Sequence, residues 1–135
     1  MKEPFKIGLA GLGTVGVGVV KILQDHGDVI AKRAGRRVEI VAVSARSAGK
    51  DRGVDLSAYK WVDNFSDMAN DNQLDAVVEM IGGSDGVVKD FVYSSIENGK
   101  HVITANKALL AHHGAELAQK AAQKEVSVGY EAATA

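Results

Sequence analysis

The chain has no cysteine, one proline and few aromatic residues, which make up 5% of its 135 positions. Without cysteine it has no disulfide framework, no thiolate metal site and no cysteine nucleophile. No apolar run approaches the ~18 residues that a membrane span needs. The N-terminal residues also lack the apolar stretch of a secretory signal, so we expect a cytoplasmic protein with no membrane partner.

The sequence also has no excess of charge of either sign. Sixteen Lys and Arg residues face 17 Asp and Glu residues, which leaves a net charge of −1. Because a polyanion-binding surface needs clustered cations, nucleic acid is not an expected partner. A typical domain has about 100–150 residues, so residues 1–135 are expected to form one domain.

Apolar runs and helical spacings alternate along the chain. Short apolar runs predict strands at residues 5–10, 37–45, 74–81, 101–104 and 126–130, with a short segment at 59–62. Helical spacing predicts helices after residue 14, continuing or restarting through 28–34 and ended by Gly35, and at 87–97 and 107–124. Ser66 is a candidate N-cap in the least regular part, 46–73. This order predicts a doubly wound, largely parallel α/β sheet.

A glycine pattern, Gly11-x-Gly13-x-x-Gly16, lies between the first predicted strand and the first helix. Gly11 permits a tight turn, Gly13 lets the backbone approach a pyrophosphate, and Gly16 lets the helix pack closely on the strand. The helix N-terminus adds free N–H groups and a positive dipole end. The pattern therefore predicts dinucleotide binding, and a P-loop is excluded because no Gly-Lys-Ser or Gly-Lys-Thr follows a glycine turn.

The end of the second predicted strand indicates which dinucleotide is bound. NAD-binding domains usually have Asp or Glu there, but this chain has Arg46, with Lys50 close behind. A cation suits a 2′-phosphate, which a carboxylate would repel. NADP is therefore favoured, with NAD as the alternative. The other interpretation is that Arg46 is a solvated loop residue.

Two further segments follow predicted strands at the edge where ligands of open α/β sheets bind. Gly82 and Gly83 would let a nicotinamide ribose lie against the backbone. The other interpretation is a helix start capped by Ser84 or Asp85, and both interpretations can hold together. Lys107 could hold a cofactor or substrate oxygen and relay a proton, or it is a surface lysine at an ordinary helix start.

The four histidines do not predict a metal site. His112 and His113 diverge by about 100° on a helix, and no third ligand is evident. His26 and His101 have no partner in sequence, and we interpret both as structural.

Five sequence blocks together resemble homoserine dehydrogenase. They are Gly-Leu-Gly-Thr-Val-Gly at 11–16, Ala-Arg-Ser at 45–47, Glu-Met-Ile-Gly-Gly at 79–83, Thr-Ala-Asn-Lys-Ala-Leu-Leu-Ala at 104–111 with His113-Gly114, and Tyr-Glu-Ala-Ala at 130–133. The resemblance runs in order over nearly the whole chain, and the fourth and fifth blocks are more specific than the glycine pattern.

This resemblance implies a Rossmann-type domain with helices on both sheet faces, which serves an NAD(P)-dependent interconversion of L-homoserine and L-aspartate 4-semialdehyde. Such enzymes belong to threonine, methionine and isoleucine biosynthesis and have a catalytic, dimerising part after the nucleotide-binding part. The whole protein would thus be a homo-oligomer acting on a small molecule. This chain ends after the last predicted strand, which we interpret as an internal boundary of a longer protein.

The resemblance also implies site residues. Backbone atoms of Leu12, Thr14 and Val15 would meet the pyrophosphate, Arg46 the ribose phosphate, and Gly82 and Gly83 the nicotinamide ribose. Thr104 and Lys107 would contact the cofactor, with Lys107 also near the reacting centre. Glu131 and the Thr134 carbonyl would bind a monovalent cation such as sodium, which prefers hard oxygen donors. The family's second catalytic lysine and its substrate-binding acids lie further downstream, so we expect no turnover from residues 1–135 alone.

Two other functions remain open at this point. One is a different reductase of the same fold, similar to aspartate-semialdehyde dehydrogenase or dihydrodipicolinate reductase, although the block at 104–111 argues against both. The other is a stand-alone NAD(P)-sensing module, which would need neither Lys107 nor Glu131.

Overall fold

The structure, a computed structural model, describes residues 3–46, 52–81 and 86–130. Its elements follow one another in the order β1 (Phe5–Ala10), α1 (Thr14–Ala34), β2 (Val38–Ser44), β3 (Lys60–Trp61), a 3₁₀-helix (Phe65–Asn70), β4 (Ala76–Glu79), α2 (Val87–Glu97), β5 (His101–Thr104), α3 (Lys107–Gln123) and β6 (Val128–Tyr130).

The strands form one six-stranded sheet in the order β3-β2-β1-β4-β5-β6, and every neighbouring pair is parallel. The chain builds outward from β1 to β3 and then returns to β1 with β4, so the direction of winding reverses between β1 and β4. This is the strand order of a doubly wound dinucleotide-binding fold. The predicted α/β fold class is confirmed, and the sheet is fully parallel.

Two hydrophobic clusters cover the two faces of the sheet. On one face, Phe91 and Ile96 of α2 and Leu109 and Leu117 of α3 pack against Val77 of β4. On the other face, α1 contributes Val20 to a cluster that includes alternate residues of the same strands. Because the sheet is covered on both faces, its strands are almost continuously apolar, as in other parallel sheets.

Helix α1 is one element that changes direction near its middle. His26 has φ −125° and ψ 21°, outside the helical region, and helical geometry then continues to Ala34. Gly35 ends the helix in the left-handed conformation, with φ 79°, as predicted. The alternatives of a continuous and a restarted helix are thus both partly correct.

Strands β4 and β6 are shorter than the apolar runs predict. Leu74 is buried, but it lies in a turn in which its N–H donates to the Asp71 carbonyl. At the other end, the Ile81 N–H turns back to the Glu79 side chain. Val126 lies in the turn that follows α3, where its N–H donates to the Ala121 carbonyl. Leu74 is buried and Val126 packs against the core, although neither residue pairs in a strand. An apolar pattern detects such packing and not strand pairing.

The prediction that Ser66 is an N-cap is wrong. Asn64 caps the 3₁₀-helix, and its side-chain oxygen accepts a hydrogen bond from the Ser66 N–H at 3.0 Å. Asn and Ser are comparable caps, so the sequence alone does not choose between them. At α2 the N-cap position is Gly86; Ser84 and Asp85, the predicted caps, lie outside the described residues.

Candidate functional site: the sheet edge at the winding reversal

The glycine turn lies where β1 ends, beside the point at which the winding reverses. Gly11 has φ +102°, a conformation that L side chains rarely adopt, and its N–H donates to the Ser44 carbonyl at the end of β2. A Cβ on Gly16 would stand 2.0 Å from the Gly11 carbonyl oxygen. Both glycines are therefore required by the backbone geometry, which brings the start of α1 against the end of β1.

Gly13 is different because the space around it is open. Apart from Gly13 and its chain neighbours, no described atom lies within 4 Å of the position that a Cβ on Gly13 would take. Gly13 is the N-cap residue of α1, and the first helical hydrogen bond is donated by Val17 to the Gly13 carbonyl. The preceding N–H groups of the helix thus have no intrahelical partner. The open space above them has the form of an anion-binding site.

The side chains around this helix start are compatible with an anion. Among the described residues of the first turn none is acidic, and no described side chain caps the helix. Thr14 and Val15 are exposed, whereas Leu12 is buried in the core under the turn. The Leu12 side chain therefore holds the turn against the core, and only the Leu12 backbone is available to a ligand.

Arg46 follows β2 at the same edge of the sheet. Ser44 ends the strand and is buried, and Arg46 two residues later is exposed. The described residues from Val43 to Arg46 contain no carboxylate. The end of β2 thus presents an exposed cation at this edge of the sheet.

A buried polar network, which the sequence analysis did not predict, joins β4 and β5. Glu79 is fully buried, and its carboxylate accepts hydrogen bonds from the Thr104 hydroxyl at 2.8 Å and the Ile81 N–H at 2.6 Å. The Thr104 Oγ1 accepts one from the Asn106 N–H at 3.0 Å. Asn106 caps α3 by accepting from the Leu109 N–H at 3.0 Å. Thr104 is thus placed at the site, but its side chain points into the protein.

Lys107 is the first residue of α3 and is exposed. It directly follows Asn106, so the buried network fixes the backbone from which its side chain extends. A charged lysine that begins a helix at this edge of the sheet can contact a phosphate or a polar substrate oxygen.

A cleft of about 210 Å³ connects these parts and is lined by Val15, Glu79, Met80, Ile81, Ala105 and Asn106. A larger cavity of about 400 Å³ lies beside β3 and is lined partly by Lys60, Asp63 and Asp67. The smaller cleft is the candidate site, because it lies between the glycine turn and the start of α3. Ligands of open α/β sheets bind at this edge.

Several predicted site residues lie outside the described residues. These are Lys50, Gly82, Gly83, Glu131 and Thr134. Among residues 3–46, 52–81 and 86–130, no group of three or more histidine or acidic side chains is arranged to hold a metal ion.

Two of the four histidines pack against aromatic rings, whereas His26 and His112 are exposed. The His101 ring lies 5.8 Å from the Phe5 ring, and its Nδ1 accepts a hydrogen bond from the Ser127 N–H at 3.0 Å. His113 contacts the edge of Tyr93, with ring centroids 6.4 Å apart.

In the part of the chain that the structure describes, no helix is both long and apolar enough to cross a bilayer.

The strand order and the glycine turn at the winding reversal define a dinucleotide-binding Rossmann domain. Comparison with known proteins narrows this class. The model of the homoserine dehydrogenase NAD-binding domain matches residues 11–131. The chain belongs to this family.

Relatives and solved structures agree with this assignment. Homoserine dehydrogenase of Pseudomonas aeruginosa is 44% identical over 133 residues, which are 98% of this chain and 30% of that protein. The structure of homoserine dehydrogenase from Thiobacillus denitrificans superposes with a TM-score of 0.88 at 39% identity, covering 97% of this chain and 30% of that one. The Staphylococcus aureus enzyme at pH 7.0 also gives 0.88, at 36% identity over 98% of this chain and 33% of its own.

The chain spans about 30% of the length of the curated relatives it matches. The matched part is the NAD-binding part of oxidoreductases. A nicotinamide cofactor is therefore the ligand class of this domain. The family match also separates the chain from the other reductases considered above.

Proposed function

We propose that this chain binds NADP in preference to NAD and forms the cofactor-binding part of an enzyme that interconverts L-homoserine and L-aspartate 4-semialdehyde. The observation that carries the proposal is the open glycine turn at the start of α1, at the sheet edge where the winding reverses. The names of the relatives support the reaction. The whole protein would act in the cytoplasm and as a homo-oligomer.

The described residues fit a dinucleotide. The free N–H groups after Gly13 would bind the pyrophosphate, and the exposed Arg46 would bind a 2′-phosphate with charge-assisted hydrogen bonds. The bound nicotinamide would exchange a hydride with the alcohol carbon of the substrate. The Lys107 side chain would extend over the cleft, hold an oxygen of cofactor or substrate and relay the hydroxyl proton.

Three proposed roles depend on residues outside the described ranges. Gly82 and Gly83 would line the nicotinamide ribose, and Lys50 would add a second cation near the adenosine ribose. Glu131 and the carbonyl of Thr134 would hold a monovalent cation such as sodium. The resemblance to the family supports these roles.

Calorimetric titration of the chain with NADP⁺ and NAD⁺ tests the nucleotide preference. We expect tighter binding of NADP⁺, and we expect Arg46→Asp to weaken NADP⁺ binding by about tenfold or more while changing NAD⁺ binding little. Lys32→Asp is the matched control, because it changes the charge equally but lies roughly 27 Å further along α1 than Thr14. Equal affinities that Arg46→Asp does not change would refute the preference.

A turnover assay tests whether the chain binds the cofactor without catalysing the reaction. We expect the 135-residue chain to bind NADP⁺ without oxidising homoserine, because hydride transfer needs substrate held within ~3–3.5 Å in a site closed to water. Activity near that of intact relatives would contradict this expectation.

A further inference from the structure

The buried carboxylate of Glu79 has no assigned role in the proposed function, although it lines the cleft. It is the last residue of β4, where it stands opposite Ala10 of β1 and Thr104 of β5 in the sheet. Its exposed fraction is 0%. Removing a carboxylate from water is costly, and such groups are retained where hydrogen bonds compensate for the lost hydration.

The hydrogen bonds of Glu79 connect two segments that border the cleft. One oxygen accepts from the Ile81 N–H, in the segment that leaves β4. The other accepts from the hydroxyl of Thr104, at the end of β5. One side chain thus ties the exits of two adjacent strands to each other.

The direction of these bonds determines where α3 begins. The Thr104 hydroxyl has one proton, which it donates to Glu79, so its oxygen is left to accept from the Asn106 N–H. Asn106 then accepts from the Leu109 N–H as the N-cap of α3. The helix start, and with it the backbone of Lys107, is therefore held by a chain of bonds that originates at Glu79.

We propose that Glu79 is a positioning residue, whose carboxylate sets the Lys107 backbone and the segment after β4 at the separation that a bound dinucleotide requires. This inference rests on the proposed function, since it assumes that Lys107 contacts the cofactor. A carboxylate suits the role because it accepts on both oxygens. A glutamine amide accepts on one and presents N–H groups on the other.

The test is NADP⁺ titration of the Glu79→Gln variant. Glutamine has the same shape, but one of its two terminal atoms is an NH₂ group, so it cannot accept hydrogen bonds from both the Thr104 hydroxyl and the Ile81 N–H in the present geometry. We expect about tenfold weaker binding, the range for loss of a hydrogen bond to a charged group. Ser95→Ala is the control, because it removes another buried hydroxyl, which donates to the Phe91 carbonyl within α2, away from the cleft. Its NADP⁺ affinity should stay unchanged.

A coupling measurement separates positioning from general structural support. Lys107→Ala is titrated in the wild-type and in the Glu79→Gln backgrounds. If Glu79 positions Lys107, the alanine substitution should weaken binding clearly in the wild type and by less than about threefold in the variant, since coupled residues are non-additive. A purely structural role of Glu79 would leave the effect of Lys107→Ala the same in both.

The outcomes distinguish this inference from the proposed function. If the wild-type chain binds neither NADP⁺ nor NAD⁺, the proposed function fails. If it binds but Glu79→Gln binds equally well, or if the two substitutions are additive, the role of Glu79 is refuted and the proposed function stands. If circular dichroism shows that Glu79→Gln does not fold, Thr104→Val replaces it, because valine removes the hydroxyl at nearly constant shape. Lys107→Ala is then titrated in the wild-type and in the Thr104→Val backgrounds.

Discussion

The helices on the two faces of the sheet differ in how they are held. Helix α1 has 21 residues but buries only two, Gly16 and Val20. Helix α2 has 11 residues and buries five, which are Val88, Phe91, Val92, Ser95 and Ile96. On α1, Val15, Ile22 and Val29 remain exposed at 54%, 54% and 52%.

This difference indicates that the α1 face sets the geometry of the candidate site, whereas the α2 face contributes most to stability. The position of α1 is set largely by a backbone contact, the close approach of Gly16 to Gly11. The position of α2 is set by side-chain packing. The glycine turn therefore fixes the position of α1, the helix that borders the candidate site. The opposite face of the sheet supplies most of the apolar burial that stabilises the fold.

The largest expected effect is on the α2 face. Phe91 is 1% exposed and contacts the edge of Phe65, with ring centroids 5.1 Å apart. Phe91→Ala should lower the free energy of unfolding by about 3–5 kcal/mol, through lost burial and a residual cavity. Ile22→Ala on α1 should change it by less than about 1 kcal/mol, because that side chain is half exposed. Urea unfolding of both variants measures this difference in the free energy of unfolding. Equal losses of stability would contradict the inference that the α2 face contributes most to stability.

A smaller but more localised effect is expected at the glycine turn. Gly16→Ala places a methyl group 2.0 Å from the Gly11 carbonyl oxygen, so the turn must shift. We expect a loss of about 3 kcal/mol together with a loss of NADP⁺ binding.

Gly18→Ala is the matched control in the same helix. Apart from the neighbouring backbone of α1, no described atom lies within 4 Å of its added Cβ. The substitution should therefore stabilise the chain by about 0.5–1 kcal/mol through helix propensity. Thermal unfolding and titration of both variants would test the contrast. Tolerance of Gly16→Ala would show that the close approach is not what fixes α1.

The most subtle expected effect is a pH dependence within the well-packed face. Burial lowers the pKa of Lys100 below 10.5, against the opposing influence of Asp71 and Asp75. Its ammonium donates to the carbonyls of Asp71 and Leu74 at 2.6 and 3.2 Å. Between the lowered pKa and 10.5 the unfolded chain binds more protons than the folded chain, so stability should rise with pH there.

Lys100→Met should remove this rise, which urea unfolding at a series of pH values would measure. The series should end at pH 10.0, because burial raises the pKa of Tyr93 above that value and lowers stability at higher pH. Parallel pH profiles for the wild type and Lys100→Met would refute the assignment.

Most of the fold could be predicted from the sequence because parallel strands and amphipathic helices have distinct periods. The bounds of β1, α2 and β5 agree with the predicted ranges. The predicted strand bounds are wrong where a residue is buried without pairing in the sheet, as at Leu74, which is buried in a turn. The apolar pattern could not detect the kink at His26, because the spacing of apolar residues continues across it.

The candidate site was less predictable. Gly11 and Gly16 could be found because their backbone conformation and close approach require glycine. The burial of Glu79 could not be found, since an acidic residue within an apolar run usually marks an exposed position. Its burial depends on Thr104, 25 positions later, and only the pairing of β4 with β5 brings the two together. Roles of Lys107 and Arg46 remain predictions until binding is measured.

The position of β4 beside β1 also has a consequence for how the chain acquires its site. The Lys6 N–H donates to the Asp75 carboxylate across 69 positions of sequence. The cleft is lined by Val15 at the start of α1 and by residues at the ends of β4 and β5, so it needs both of these later strands. Contacts this distant form slowly, because a long loop must close before they contribute. A nascent or partly folded chain that has completed β1, α1 and β2 therefore already contains the glycine turn but has no cleft, so ligand could favour only late folding species.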